Sequence, residues 1–186
     1  MTRKQLRQIQ ALALVVVAAL FTAIRFLPSL MASGPQARHE EAAEYYYVAR
    51  AVDGDTLKLS NGDRVRLIGV DTPECHYSEK LVRDARRSGK DIKAIQELGK
   101  IASDFTKGLV SGKRVRLEYD VEKRDRYGRL LAYAYLDDGT FVNARIIDEG
   151  YGQIMTIPPN VRYADKFLAL EREARKNGKG FWDGRY

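Results

Sequence analysis

Asn61-Gly62-Asp63 stands between two short runs, Thr56–Leu59 and Arg64–Ile68, that read as strands. An Asn-Gly step between such runs is a strong hairpin signal, because it accepts the backbone that a tight antiparallel turn requires. The chain must therefore build at least one antiparallel sheet from very short strands. Tyr45–Val52, Arg114–Tyr119 and Leu131–Leu136 read as three more, and Asp53-Gly54-Asp55 breaks the first strand from the second. Pro73 ends the segment after Arg64–Ile68.

Helical signals lie between these runs. Tyr77–Lys90 is a charged stretch with Ser78 placed as a cap and Gly89 as a stop. Asp91 is expected to cap a longer helix. Its buried face is read as Ile92, Ile95, Leu98, Ala102, Phe105 and Leu109, recurring at three- and four-residue steps to about Val110. Val142–Gly150 reads as a short helix. Tyr163–Asn177 reads as another, with Phe167, Leu170 and Ala174 inward and Gly178 as its stop. Several short strands with about three interposed helices predict a small α+β barrel.

The N-terminus is of another kind. Arg3, Lys4 and Arg7 precede the uncharged, mostly apolar run Ala11–Ile24, and Phe26, Leu27, Leu30 and Met31 extend it. Counted to Met31, this is long enough to cross a bilayer of roughly 30 Å hydrocarbon thickness, with Arg25 placed to snorkel. The expectation is a cytoplasmic basic segment at 1–10, a transmembrane signal-anchor at 11–31 embedded in the lipid bilayer, a linker at 32–44, and a domain at 45–186 outside the cytoplasm. The alternative is cleavage near Ala32, which would release a secreted or periplasmic protein; Leu30-Met31-Ala32 is a poor small-residue site for it.

The net charge is +7, but Arg3, Lys4, Arg7 and Arg25 fall in the first 31 residues without any acidic residue, so +4 of it lies there. Bulk charge alone does not argue for nucleic acid in the remainder. A single cysteine, Cys75, excludes a disulfide framework and a multi-cysteine zinc site, and two histidines, His39 and His76, argue against a histidine-rich centre. Cys75-His76 reads as an incidental loop pair, with a regulatory thiol as the alternative. Nothing in the sequence points to a protein partner.

Three stretches carry chemistry: Asp53-Gly54-Asp55-Thr56, Arg66 to Glu74, and Arg124-Asp125-Arg126-Tyr127-Gly128-Arg129. Asp55 and Asp71 are candidate ligands of a hard cation, since carboxylate oxygens suit calcium in a flexible shell. Asp53 is read as supporting the turn or standing behind those ligands. Glu74 follows a segment stiffened by Pro73. Arg66 and Arg129 offer forked donors for phosphate that stay charged at any ordinary pH. Arg126 and Tyr127 are candidates for holding a nucleotide. Together they suit attack of water on a phosphodiester.

With these motifs, with Gly128–Tyr133 and with the closing Gly180–Trp182, the chain resembles the staphylococcal nuclease (thermonuclease) family from about Tyr45 to Trp182. The resemblance implies a five-stranded OB-type barrel and calcium-dependent cleavage of DNA and RNA that leaves 3′-phosphate ends. It adds the backbone carbonyl of Thr72 to the metal ligands and implies that Glu74 acts on the attacking water. Two departures stand out. Met155 and Ile157 occupy positions before Pro159-Asn160 where tyrosines are expected, which weakens base stacking. Tyr77–Lys90 is longer and more basic than the corresponding loop; Lys80, Arg83, Arg86, Arg87 and Lys90 read first as a solvated face and second as a phosphate track. A catalytically inactive OB-fold binding module is the alternative function.

Overall fold

The structure is a computed structural model that describes residues 44–185. The expected 1–10 and 11–31 segments, and all of the linker but Glu44, lie outside the described residues. Among the described residues no helix is long and apolar enough to cross a membrane.

Five strands close a barrel in the order β1 (Tyr45–Asp53), β2 (Thr56–Leu59), β3 (Arg64–Leu67), β6 (Leu130–Leu136), β5 (Arg114–Glu118) and back to β1. All pairings are antiparallel except β3 with β6. Closure leaves no free edge. Inward positions alternate along each strand, and Leu57, Leu59, Val65, Leu67, Val115, Leu117, Ala132 and Ala134 fill the interior. Each fully buried valine or leucine among them contributes about 1.5–3 kcal/mol.

Beside the barrel, β4 (Gly69–Asp71) pairs with β7 (Gln153–Met155) in a two-stranded sheet that the sequence did not reveal. Three-residue strands are too short for a periodicity signal. Asn143, fully buried, fixes where this sheet departs: its Oδ1 accepts the Ala134 N–H at 2.9 Å and its Nδ2 donates to the Ile68 carbonyl at 2.9 Å.

Among the described residues four α-helices stand where about three were expected: α1 (Glu79–Ser88), α2 (Ile92–Val110), α3 (Val142–Asp148) and α4 (Ala164–Lys176). The Leu81 N–H donates to Ser78 Oγ at 3.1 Å at the start of α1, and Gly89 ends it at φ 70°. Asp91 stands at the N-cap of α2 as expected, its carbonyl accepting the Ile95 N–H at 3.1 Å, but its side chain makes no capping hydrogen bond. The buried line of α2 also differs: it runs through Ile95, Gly99, Ala102, Thr106 and Val110, while Leu98, Phe105 and Leu109 flank it half-buried. Small residues take the innermost line because backbone, not side chains, presses on it.

Candidate active site

The Asp53-Gly54-Asp55 corner joins β1 to β2, and α2 holds it. Thr106 Oγ1 donates to the Gly54 carbonyl at 2.7 Å. A Cβ on Gly54 would stand 2.8 Å from Thr72 Oγ1 and 2.9 Å from the Ala102 Cβ, so only glycine fits. This packing sets Asp55 against the loop after β4. The Thr72 N–H and hydroxyl donate to Asp55 Oδ2 at 3.0 and 3.1 Å. Thr56 Oγ1 donates to Asp55 Oδ1 at 3.0 Å, and Arg66 Nη1 pairs with the same oxygen at 2.8 Å.

Arg66, on β3, bridges two carboxylates, because its Nη2 also reaches Asp71 Oδ1 at 3.1 Å. A second cation stands beside it. Lys80 Nζ, from the first turn of α1, lies 2.8 Å from Asp71 Oδ1, 3.0 Å from Glu74 Oε1 and 3.0 Å from the Thr72 carbonyl oxygen, to which it donates. Burial alone would lower the Lys80 ammonium. The charge and hydrogen bond of Asp71, with Asp55 and Glu74, outweigh that and raise it above the ordinary lysine value.

The cluster is an all-oxygen donor set, and Lys80 serves as a stand-in for a bound cation: a positive charge already rests among Asp71, Glu74 and the Thr72 carbonyl. These donors fit a hard metal ion. Asp55 differs from Asp71 in that four donors already engage its two oxygens, about the number of lone-pair sites a carboxylate offers. Direct ligation by Asp55 therefore requires Arg66 or a hydroxyl to move.

Arg66 also lines a cleft of about 460 Å3 together with Arg124, Arg126, Tyr127, Arg129 and Ile157. The parallel register explains why. Arg66 pairs with Leu131, and Arg129, two residues earlier, falls on the same face. Asp125 organises the turn: its Oδ1 accepts the Tyr127 and Arg129 N–H groups at 2.9 Å each, and its Oδ2 accepts Arg129 Nε at 2.7 Å. Burial would raise the Asp125 carboxyl, but these Arg129 and Tyr127 donors hold it below the ordinary value. Arg129 makes that pairing through Nε, and its guanidinium stands 5.7 Å from the Tyr127 ring centre. Tyr127 is exposed, with the Arg126 guanidinium 4.8 Å from its ring centre. Asn160 clasps the far wall, its Oδ1 accepting the Glu122 N–H at 2.8 Å and its Nδ2 donating to the Glu122 carbonyl at 2.9 Å.

Asp55, Arg66, Asp71, Thr72 and Glu74 thus converge, and Arg126, Tyr127 and Arg129 share the adjoining cleft with Arg66. Asp53 turns elsewhere: its Oδ1 accepts the Cys75 thiol at 2.9 Å. Burial pushes that thiol up to about 12, and the Asp53 hydrogen bond and charge add to the rise, so Cys75 is no activated nucleophile. Of the basic run, Lys80 leaves the solvated face, whereas Arg83, Arg86, Arg87 and Lys90 stay exposed. One sequence signal marked Lys80: a cation in the first turn of a helix opposes the helix dipole and calls for acidic partners.

A family model described as "Staphylococcal nuclease homologue" matches residues 64–184. The thermonuclease of Staphylococcus intermedius is 41% identical over 143 residues, covering 75% of this chain and 77% of that protein. The thermonuclease of Staphylococcus hyicus is 36% identical over 177 residues, covering 92% and 95%. Endonuclease YncB of Bacillus subtilis (strain 168) is 35% identical over 156 residues, covering 81% and 67%. The closed five-stranded barrel with its helices is the OB-type architecture. The chain belongs to the staphylococcal nuclease family.

Proposed function

We propose that this nuclease is a calcium-dependent endonuclease that hydrolyses phosphodiester bonds of DNA and RNA with little sugar specificity, leaving 3′-phosphate ends. Family membership makes it a phosphodiester hydrolase. The observation that carries the finer reading is the meeting of three carboxylates and the Thr72 carbonyl around two adjoining cations, Arg66 on Asp55 and Asp71 and Lys80 on Asp71 and Glu74, beside an arginine-lined cleft.

Asp55, Asp71 and Glu74 carry one more negative charge than Arg66 and Lys80 cancel, so the cluster retains attraction for a further cation. Asp55, Asp71 and the Thr72 carbonyl would hold calcium, which when bound supplies positive charge against a phosphoryl oxygen. Arg66, released from Asp55, and Arg129, held by Asp125, donate to the other phosphoryl oxygens as their charge grows in the transition state. Glu74 orients the attacking water and takes its proton. Tyr127 and Arg126 border the cleft where the neighbouring nucleotide passes. Met155 and Ile157 line that cleft with apolar rather than aromatic side chains, so base stacking contributes little.

Digestion of plasmid DNA and of RNA by the full chain, with calcium titrated and end groups identified, tests this reading. Loss of cleavage in chelator and 3′-phosphate ends are expected; full activity in chelator, with contaminating metal excluded, overturns the calcium assignment. For location, residues 11–31 are proposed to remain as a membrane anchor with the nuclease domain outside. Fractionation and intact mass test that, and a soluble form beginning near Ser33 contradicts it.

A further inference from the structure

We infer a second metal site, for a borderline-soft divalent cation such as Zn2+, at Asp53, Cys75 and His76. One carboxylate oxygen, the Cys75 sulfur and one imidazole nitrogen all lie within 4.8 Å of one another. No single sequence feature marks the set, because Asp53 comes from the β1–β2 corner and Cys75-His76 from the loop after β4. The fold brings them together when α2 packs beneath both segments.

The chemistry separates this site from the oxygen cluster. Carboxylate, thiolate and imidazole together are the donors that Zn2+ takes at about 2.0–2.3 Å, whereas calcium takes oxygen alone. The thiol and Asp53 Oδ1 already share one hydrogen at 2.9 Å. A cation replaces that proton, which leaves to solvent, and forms Cys75 S–metal and Asp53 O–metal bonds. His76 is exposed, so its ring is free to swing the remaining distance. Cys75 and His76 face a surface groove in which Glu97 and Asp104 stand against Lys93 and Lys100, so a bound ion would keep access to water for its fourth position.

A bound ion would join the Asp53 corner to the residue after Glu74. Its effect on turnover rests on the nuclease reading above, but its existence does not.

Cobalt serves as the spectroscopic probe, added to the full chain in excess calcium so that the oxygen cluster is occupied. One Co2+ per chain is expected, with a near-ultraviolet thiolate-to-cobalt band that equimolar Zn2+ removes. Cys75→Ser should abolish the band, and His76→Ala, at an exposed position that does not threaten folding, should weaken cobalt binding by about tenfold or more. Zn2+ should also raise the melting temperature of the wild type but not of Cys75→Ser. Absence of the band, a band unchanged in His76→Ala, or a metal shared between two chains would overturn the site. An inactive protein that still shows the band would refute the nuclease reading alone.

Discussion

Gly99 lies directly beneath Glu74: a Cβ placed on this residue of α2 would stand 2.6 Å from the Glu74 carbonyl oxygen and 2.5 Å from the Cys75 nitrogen. The helix thereby sets the height of the loop that carries Glu74.

Gly99→Ala separates two effects of opposite sign. In an ordinary helix interior the change gains about 1 kcal/mol. Here overpacking against rigid backbone costs about 1–3 kcal/mol, so a net loss of stability is expected. Turnover should fall about tenfold or more, since a displacement near 1 Å costs up to about a hundredfold. Thermal unfolding and single-turnover kinetics check both; a more stable, fully active variant contradicts the packing.

Lys80→Met tests whether this ammonium competes with the metal. Partly exposed pairs of this kind are worth about 1 kcal/mol, or roughly a fivefold change in affinity. The calcium concentration for half-maximal activity should drop by about that factor while maximal turnover stays within about threefold. A large loss of maximal turnover with unchanged calcium dependence would instead make Lys80 a catalytic group.

Glu74→Gln and Arg129→Ala should each cut turnover by about a hundredfold or more without unfolding the barrel. Arg129→Lys should recover little, because the ammonium keeps the charge but loses the fork that Asp125 holds through Nε. Kinetics alongside circular dichroism decide. Normal turnover in a folded variant removes that residue from the mechanism.

Acid stability should trace to Asp120 as well as Asp125. Burial would raise the Asp120 carboxyl, but the Arg162 N–H and the Tyr133 hydroxyl, each donating at 3.0 Å, and the Arg162 charge hold it below the ordinary value. Its ionised form is thus favoured in the fold. The contribution is complete above about pH 4 and is lost as pH falls through the lowered value. Asp120→Asn should lose about 1.5–3 kcal/mol at neutral pH and show a flatter acid limb. Denaturant unfolding across pH measures both.

The barrel was legible because its strands are marked by Asp-Gly and Asn-Gly corners and by inward aliphatic residues such as Leu57 and Val65. The motif residues were legible as chemistry, since carboxylates and arginines stood at closely spaced positions. What was hidden depended on backbone packing. Gly99 and Thr106 looked too small or polar for a buried face, yet they line it beside the expected Ala102 because the Gly54 and Glu74 loops press there. The β4–β7 pair was too short to show a period. Lys80 was lost among exposed cations, and Asp53 with Cys75-His76 became a cluster only once two distant loops met.

The most direct measurement is the rate of DNA and RNA cleavage by the full chain against calcium, in the wild type, Asp55→Ala and Asp71→Ala. Cleavage that is absent in chelator, restored by calcium, and shifted in both variants to higher calcium with the fold intact is the expected result. Cleavage that is indifferent to chelator and to both substitutions would contradict a metal held by these carboxylates.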